Sequence, residues 1–188
     1  NGTKEIISIT VEGERKFPLT RSLSLFIINT LLYIIPICIY LISIYTSLGG
    51  KGLQTSIQVD TPFSPANYTL GTAILLEVVG GYIGIIGFGF LSLLISSASK
   101  HSSTAITISI GIYVFYEAIK IFVRPKSKIV NLLIALFPAG VSQVFYEIFS
   151  YRFINIAGFV VWIPYFMILA GIVQIALYWY VSIKIYRL

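Results

Sequence analysis

Few side chains in this sequence are equipped for chemistry, and their positions say more than their number. Glu77 lies about eight residues into an apolar run, and Glu117 and Lys120 lie inside another. A charge within hydrocarbon is costly, so such residues usually face a bundle interior or a water-filled cavity. Glu117 and Lys120 are three positions apart, which on a helix puts them on one face and lets them pair, with Tyr113, Tyr116 and Arg124 extending that face. One reading is a polar seam along a substrate path. The other, favoured by the closeness of Lys120 to the end of its run, is a locally neutralised pair whose lysine snorkels to the head groups. Glu77 has no charged neighbour in sequence and reads equally as a functional group or as the acceptor of a hydrogen bond from a neighbouring helix.

The remaining reactive residues assemble nothing. Cys38, the one cysteine, sits in an apolar run and offers no disulfide, zinc or iron–sulfur spacing. A lone His101 excludes a bis-histidine haem within this chain. Gly49-Gly50-Lys51-Gly52 lacks the spacing and the hydroxyl of a phosphate-binding loop. No metalloprotease helix, nucleophile elbow or clustered carboxylates occur. The expectation is therefore a chain that is not an enzyme, with no catalytic, metal or cofactor-binding residues, whose energy, if any is consumed, comes from a partner.

Composition explains where these residues live. Of 188 residues, 57% are hydrophobic and only 11% charged, with a mean hydropathy of +0.91. A water-soluble domain carries about 25% charge, so this surface must be solvated by lipid or by neighbouring helices. The net charge of +6 reads as loops meeting anionic head groups. No basic stripe with interleaved aromatics suggests nucleic acid.

The pattern predicts an all-α, polytopic transmembrane bundle with a broken or re-entrant segment before its last helix. Residues 1–22 read as a polar N-terminal cytoplasmic segment, with a short strand over residues 7–11 and a cap at Thr20 or Ser22. Residues 23–188 read as the transmembrane domain, with helices at about 23–47, 69–97, 104–123 and 165–186 and a broken segment at 129–164 that carries Gln143 and Glu147. About 20 residues at 1.5 Å rise cross the ~30 Å hydrocarbon core. Pro36 should kink the first helix. Gly80 and Gly84 form a G-x-x-x-G pair that admits a close helix neighbour. Four crossings put both termini on one side, taken as the cytoplasm of a multi-pass cell-membrane protein. That side holds seven cations (Lys4, Arg15, Lys16, Arg21, Lys100, Lys184, Arg187) and the other five (Lys51, Arg124, Lys126, Lys128, Arg152). Asn67-Tyr68-Thr69 is a glycosylation sequon on the outer side, whereas Asn1-Gly2-Thr3 would be inside and a chance match.

Two stretches resemble a known family. Phe17-Pro18-Leu19-Thr20-Arg21-Ser22 before an apolar run is similar to the proline–hydrophobic–hydroxyl–arginine element of ABC-transporter permeases of the exporter type. Residues 90–100, Phe-Leu-Ser-Leu-Leu-Ile-Ser-Ser-Ala-Ser-Lys before a fresh apolar helix, resemble that family's short basic turn between its fourth and fifth helices. The resemblance covers the family's last four helices and the re-entrant outer segment. A complete permease has about six, so the first two would be missing. It implies a permease half that pairs with a second permease subunit, as a homo- or heterodimer, over two ABC ATPase subunits. Pro18, Thr20 and Arg21 would receive the ATPase push, and Gly80 and Gly84 would pack helices. The alternative is a non-catalytic accessory or scaffold subunit of a respiratory or secretion complex.

Overall fold

The computed structural model of the protein describes residues 11–57, 68–99, 101–123, 128–149, 152–156 and 158–186. Along these the elements are α1 (Val11–Leu53), α2 (Leu70–Ala98), α3 (Ser102–Ala118), which runs on into a π-helical turn (Ile119–Val123), α4 (Lys128–Leu136), α5 (Pro138–Val141), α6 (Val144–Ile148), β1 (Phe153–Ile156), β2 (Phe159–Trp162) and α7 (Ile163–Tyr186). Four stretches are long and apolar enough to cross a membrane: Phe17–Leu53, Leu70–Ala98, Ser102–Phe122 and Ile163–Ile185. The fold is the expected helical bundle. Its outer faces are apolar: on α1, Leu32 and Ile39 are each 65% exposed. Water would penalise such a surface, and lipid does not.

The first helix departs from expectation at both ends. It begins by Val11 and continues to Leu53, so Thr20 and Ser22 are interior residues and cap nothing. Ser22 Oγ instead donates to the Pro18 carbonyl at 2.8 Å, the back-bonding open to a hydroxyl on a helix interior. The expected strand lies mostly in residues 1–10, outside the described residues, and Val11 is helical. Pro36 does not break the helix: its dihedrals stay helical, and the non-helical residue is Gly49, at φ 62° and ψ 176°. That conformation suits a residue without Cβ, and it starts the final turn toward Leu53. Membrane helices tolerate an interior proline where neighbouring groups take up the freed carbonyl.

Helix α2 is the axis of the bundle. It touches α1, α3, α7 and the broken segment, because its glycines let neighbours approach on more than one side. Gly80, Gly81, Gly84, Gly87 and Gly89 are all buried. Gly81 faces the Tyr33 hydroxyl and Gly89 the Asn29 amide of α1, whereas Gly80 and Gly84 face Val144 and Ser142. Thr69 caps its start, accepting from Thr72 N at 3.3 Å. The chain before it is tied down by Ile57 N donating to Tyr68 O and Leu70 N to Thr55 O.

Residues 128–149 form a re-entrant hairpin. The chain descends along α4, turns at Pro138 beside Gly87, passes Ser142 at Gly84 and Val144 at Gly80, and climbs back to Ile148 in a cluster with Ala73 and Leu76. Gly87 and Gly84 are near the middle of α2, which is about 43 Å long. Polar backbone at that depth must be satisfied by protein. Here Gln174 of α7 donates to the Leu136 carbonyl at 2.7 Å, and Ser142 Oγ to the Ala139 carbonyl at 2.8 Å. Residues 153–162, expected as broken helix, are an antiparallel β-hairpin with Phe153 opposite Trp162 and Ile156 opposite Phe159. The aromatic and β-branched residues on either side of Gly158 (φ 91°) suit a strand pair better than a helical turn. Trp162 stacks on Tyr68 with ring centroids 4.7 Å apart and planes at 8°, fixing the hairpin to the start of α2.

Candidate functional site

Two polar constellations lie within the apolar bundle. The larger is a groove of about 800 Å³ between α1, α2, α3 and the tip of the re-entrant hairpin. Asn29, Tyr33 and Tyr40 of α1, Glu77 and Ser92 of α2, Tyr113 of α3 and Ser142 of the hairpin supply its polar groups; Leu25, Ile37, Ile85 and Phe88 supply apolar wall. Glu77 is half-buried and accepts from Tyr40 Oη at 2.9 Å. Both roles the sequence left open for Glu77 therefore coincide: it accepts a bond from a neighbouring helix and lines a cavity.

The hydrogen bonds flanking this groove form a ladder between α1 and the antiparallel α2. Arg21 Nη2 donates to Ser96 Oγ at 2.6 Å. Thr30 Oγ1 shares a 3.0 Å bond with Tyr82 Oη, and Tyr33 Oη donates to the Val78 carbonyl at 2.7 Å. The Tyr40–Glu77 bond is the last rung. From Arg21 to Tyr40 along α1, and from Ser96 to Glu77 along α2, the rise is about 28 Å, close to the hydrocarbon thickness of a bilayer. Each rung gives a polar group buried in lipid its partner, which fixes the register of the two helices.

The second constellation closes the gap between α3 and the hairpin. Lys120 Nζ lies 3.8 Å from Glu117 Oε2. Gln143 of the hairpin stands between them, its Nε2 donating to Glu117 Oε1 at 2.8 Å while its Oε1 accepts from Lys120 Nζ. Lys120 also lies 5.4 Å from the Tyr116 ring centroid and 5.6 Å from that of Tyr146, within cation–π range. Arg152 Nη2 donates to Glu147 Oε1 at 2.6 Å beside a cavity of about 360 Å³. Helix α3 widens into its π turn at Lys120, the sort of local irregularity frequent where a helix serves a site.

The structure thus brings Glu117 and Lys120 together, as their spacing predicted, and adds Gln143, Tyr146 and Glu147 from the hairpin. It separates Tyr113, which packs edge-on against Phe88 with centroids 5.9 Å apart and lines the other cavity. Arg124 and the sequon asparagine Asn67 lie outside the described residues. Pro18 is buried, Arg21 partly buried and Thr20 exposed on the first turns of the apolar part of α1. Gly80 and Gly84 face the re-entrant hairpin of the same chain, where a Cβ on Gly80 would come within 2.6 Å of Val144 Cγ1. Sequence reasoning missed Asn29 and Gln174. Each is a lone amide in an apolar helix, and that isolation was the available signal. Among the described residues, no group of three or more His, Cys, Asp and Glu is placed to hold a metal.

Fold and site together define a helical membrane protein with a re-entrant hairpin and a polar groove beside it. The chain matches no protein-family model, and no curated protein or solved structure is similar to it.

Proposed function

We propose that this chain is the transmembrane permease half of an ATP-driven exporter of the ABC type, working with a second permease subunit and with separate ATPase subunits, in a cell membrane that its four long helices cross. The observation that carries the reading is the re-entrant hairpin, inserted between the third and last long helices to the depth of Gly87 and bordering a groove that contains Glu77. Irregular backbone at membrane depth is maintained where it lines a path or a site, and an intramembrane acid facing a cavity marks such a path.

The mechanics follow from the contacts. A push at Pro18–Arg21 enters α1, which is tied to α2 from Arg21–Ser96 to Tyr40–Glu77. The hairpin is wedged on α2 at Gly80 and Gly84 and latched to α3 through Glu117, Gln143 and Lys120. A rocking of α1 and α2 against α3 would open or close the groove between them, the two-packing behaviour of a bundle under an external load. The apolar outer face of α1, including Leu32, Ile35 and Ile39, is then left for lipid or for the second permease subunit.

The test is purification of the intact complex from its native membrane. Stoichiometric ATPase subunits, two per two permease chains, are expected. Co-purification with haem or quinone enzymes and without any ATPase overturns the reading in favour of an accessory subunit.

A further inference from the structure

Resting on the export reading above, we infer that the groove bearing Glu77 is the binding site for the transported molecule, and that this molecule is an amphiphile with an organic ammonium head and an alkyl tail. Three features of the groove select that chemistry.

Its charge is one-sided. Among the described residues that line it, Glu77 is the only carboxylic acid and none is a lysine or arginine. The carboxylate's partner is the neutral hydroxyl of Tyr40, in contrast to Glu117 and Glu147, each paired with a cation. Among the described residues that line the groove no cation faces this carboxyl group, which favours a cation brought by the ligand.

Its donors are wrong for a metal ion. Calcium takes six to eight oxygen ligands and magnesium a near-octahedral set; here one carboxylate stands among phenols. Tyr40 bonds the acid through its hydroxyl and Tyr33 bonds the adjoining Val78 carbonyl, so two aromatic side chains stand beside it, a setting that suits weakly hydrated ammonium groups.

Its shape is elongated and much of its wall is apolar. The groove extends along α2 from Glu77 to Gly89 and beyond to Ser92, about 18 Å from Glu77 to Gly89. Leu25, Ile37, Ile85 and Phe88 form an apolar wall along which a single alkyl chain can lie. The volume of about 800 Å³ falls within the ~300–1,000 Å³ of ordinary ligand sites.

The experiment is equilibrium binding of radiolabelled dodecyltrimethylammonium to the intact complex in dodecylmaltoside micelles, with empty micelles subtracted. Saturable binding is expected, weakened about tenfold or more by Glu77→Gln and retained by Tyr40→Phe, which keeps the carboxylate and removes its competing donor. Glu117→Gln, at the other constellation, should leave the affinity within about twofold. Equal competition by dodecyl sulfate, or unchanged affinity in Glu77→Gln, overturns the inference. Loss of the signal when phosphatidylcholine or phosphatidylethanolamine is added to the micelles identifies the occupant as a bilayer lipid and overturns its assignment as cargo. Binding requires no ATP, so these outcomes are separate from the co-purification result that decides the export reading.

Discussion

Gly84 of α2 and Ser142 of the re-entrant hairpin meet backbone to backbone: a Cβ on Gly84 would lie 2.6 Å from Ser142 Cα, closer than carbon atoms tolerate. The hairpin's depth in the bundle is set by this contact and the parallel one between Gly80 and Val144. Gly84→Ala should therefore destabilise the protein by about 1–3 kcal/mol, the usual cost of overpacking. Gly111→Ala, where no atom lies within 4 Å of the added Cβ, should be neutral or slightly stabilising. Thermal unfolding in detergent compares the two, and equal midpoints would mean the hairpin is not wedged at Gly84.

Gln143 is the bridge of the α3 latch, so Gln143→Leu should loosen the hairpin more than Lys120→Met does. The first removes the donor to Glu117 Oε1 and the acceptor of Lys120 at once; the second leaves Glu117 bonded to Gln143. Hydrogen bonds to charged groups contribute about 1.5–3 kcal/mol when buried. These side chains are roughly a third exposed, at 32% and 29%, so about 1 kcal/mol is expected. Hydrogen exchange of α4–α6 amides reads it directly, and faster exchange in Lys120→Met than in Gln143→Leu would invert the assigned roles.

Arg21 has two roles that substitutions can separate. Its bond to Ser96 is structural, and its place on the coupling segment is the proposed functional one. Arg21→Glu should lower ATP-driven transport about tenfold, or ~1.4 kcal/mol in the coupled step, with ATP hydrolysis persisting. Ser96→Ala should leave transport per ATP unchanged. If both variants lose coupling equally, Arg21 acts only by holding α1 to α2.

Tyr68 lies just outside the apolar spans. The hydrogen bond with Tyr165 Oη, 3.2 Å away, and partial burial behind it push the Tyr68 phenol up to about 12. The neutral form is favoured in the folded protein. Its contribution is complete below the ordinary tyrosine value of ~10 and is lost as pH rises from there through about 12. Tyr165→Phe should return this titration toward ~10, seen as a change in tyrosinate absorbance that is absent on a Tyr68→Phe background. An identical alkaline titration in Tyr165→Phe and the unsubstituted protein would show that the pair does not share a proton.

The sequence by itself determined the class of protein and its long elements. Four apolar runs of crossing length can be solvated only by lipid or by one another, so composition and run length sufficed. Glu117 and Lys120 were legible as a pair because helical spacing is local. Residues 129–164 were legible as broken, since Pro138 and Gly140 interrupt an apolar stretch. The tertiary structure decided what that break does. Whether the hairpin crosses, lies at the interface or re-enters depends on Gly80 and Gly84 meeting Val144 and Ser142, some sixty positions apart in the chain. It also decided that Pro36 is carried within a continuous helix and that the non-helical dihedrals fall at Gly49, whose positive φ local sequence does not specify. Pairing Tyr40 with Glu77 and Arg21 with Ser96 is a matter of register between two helices. Periodicity gives each helix a face, but only packing gives two faces a common origin.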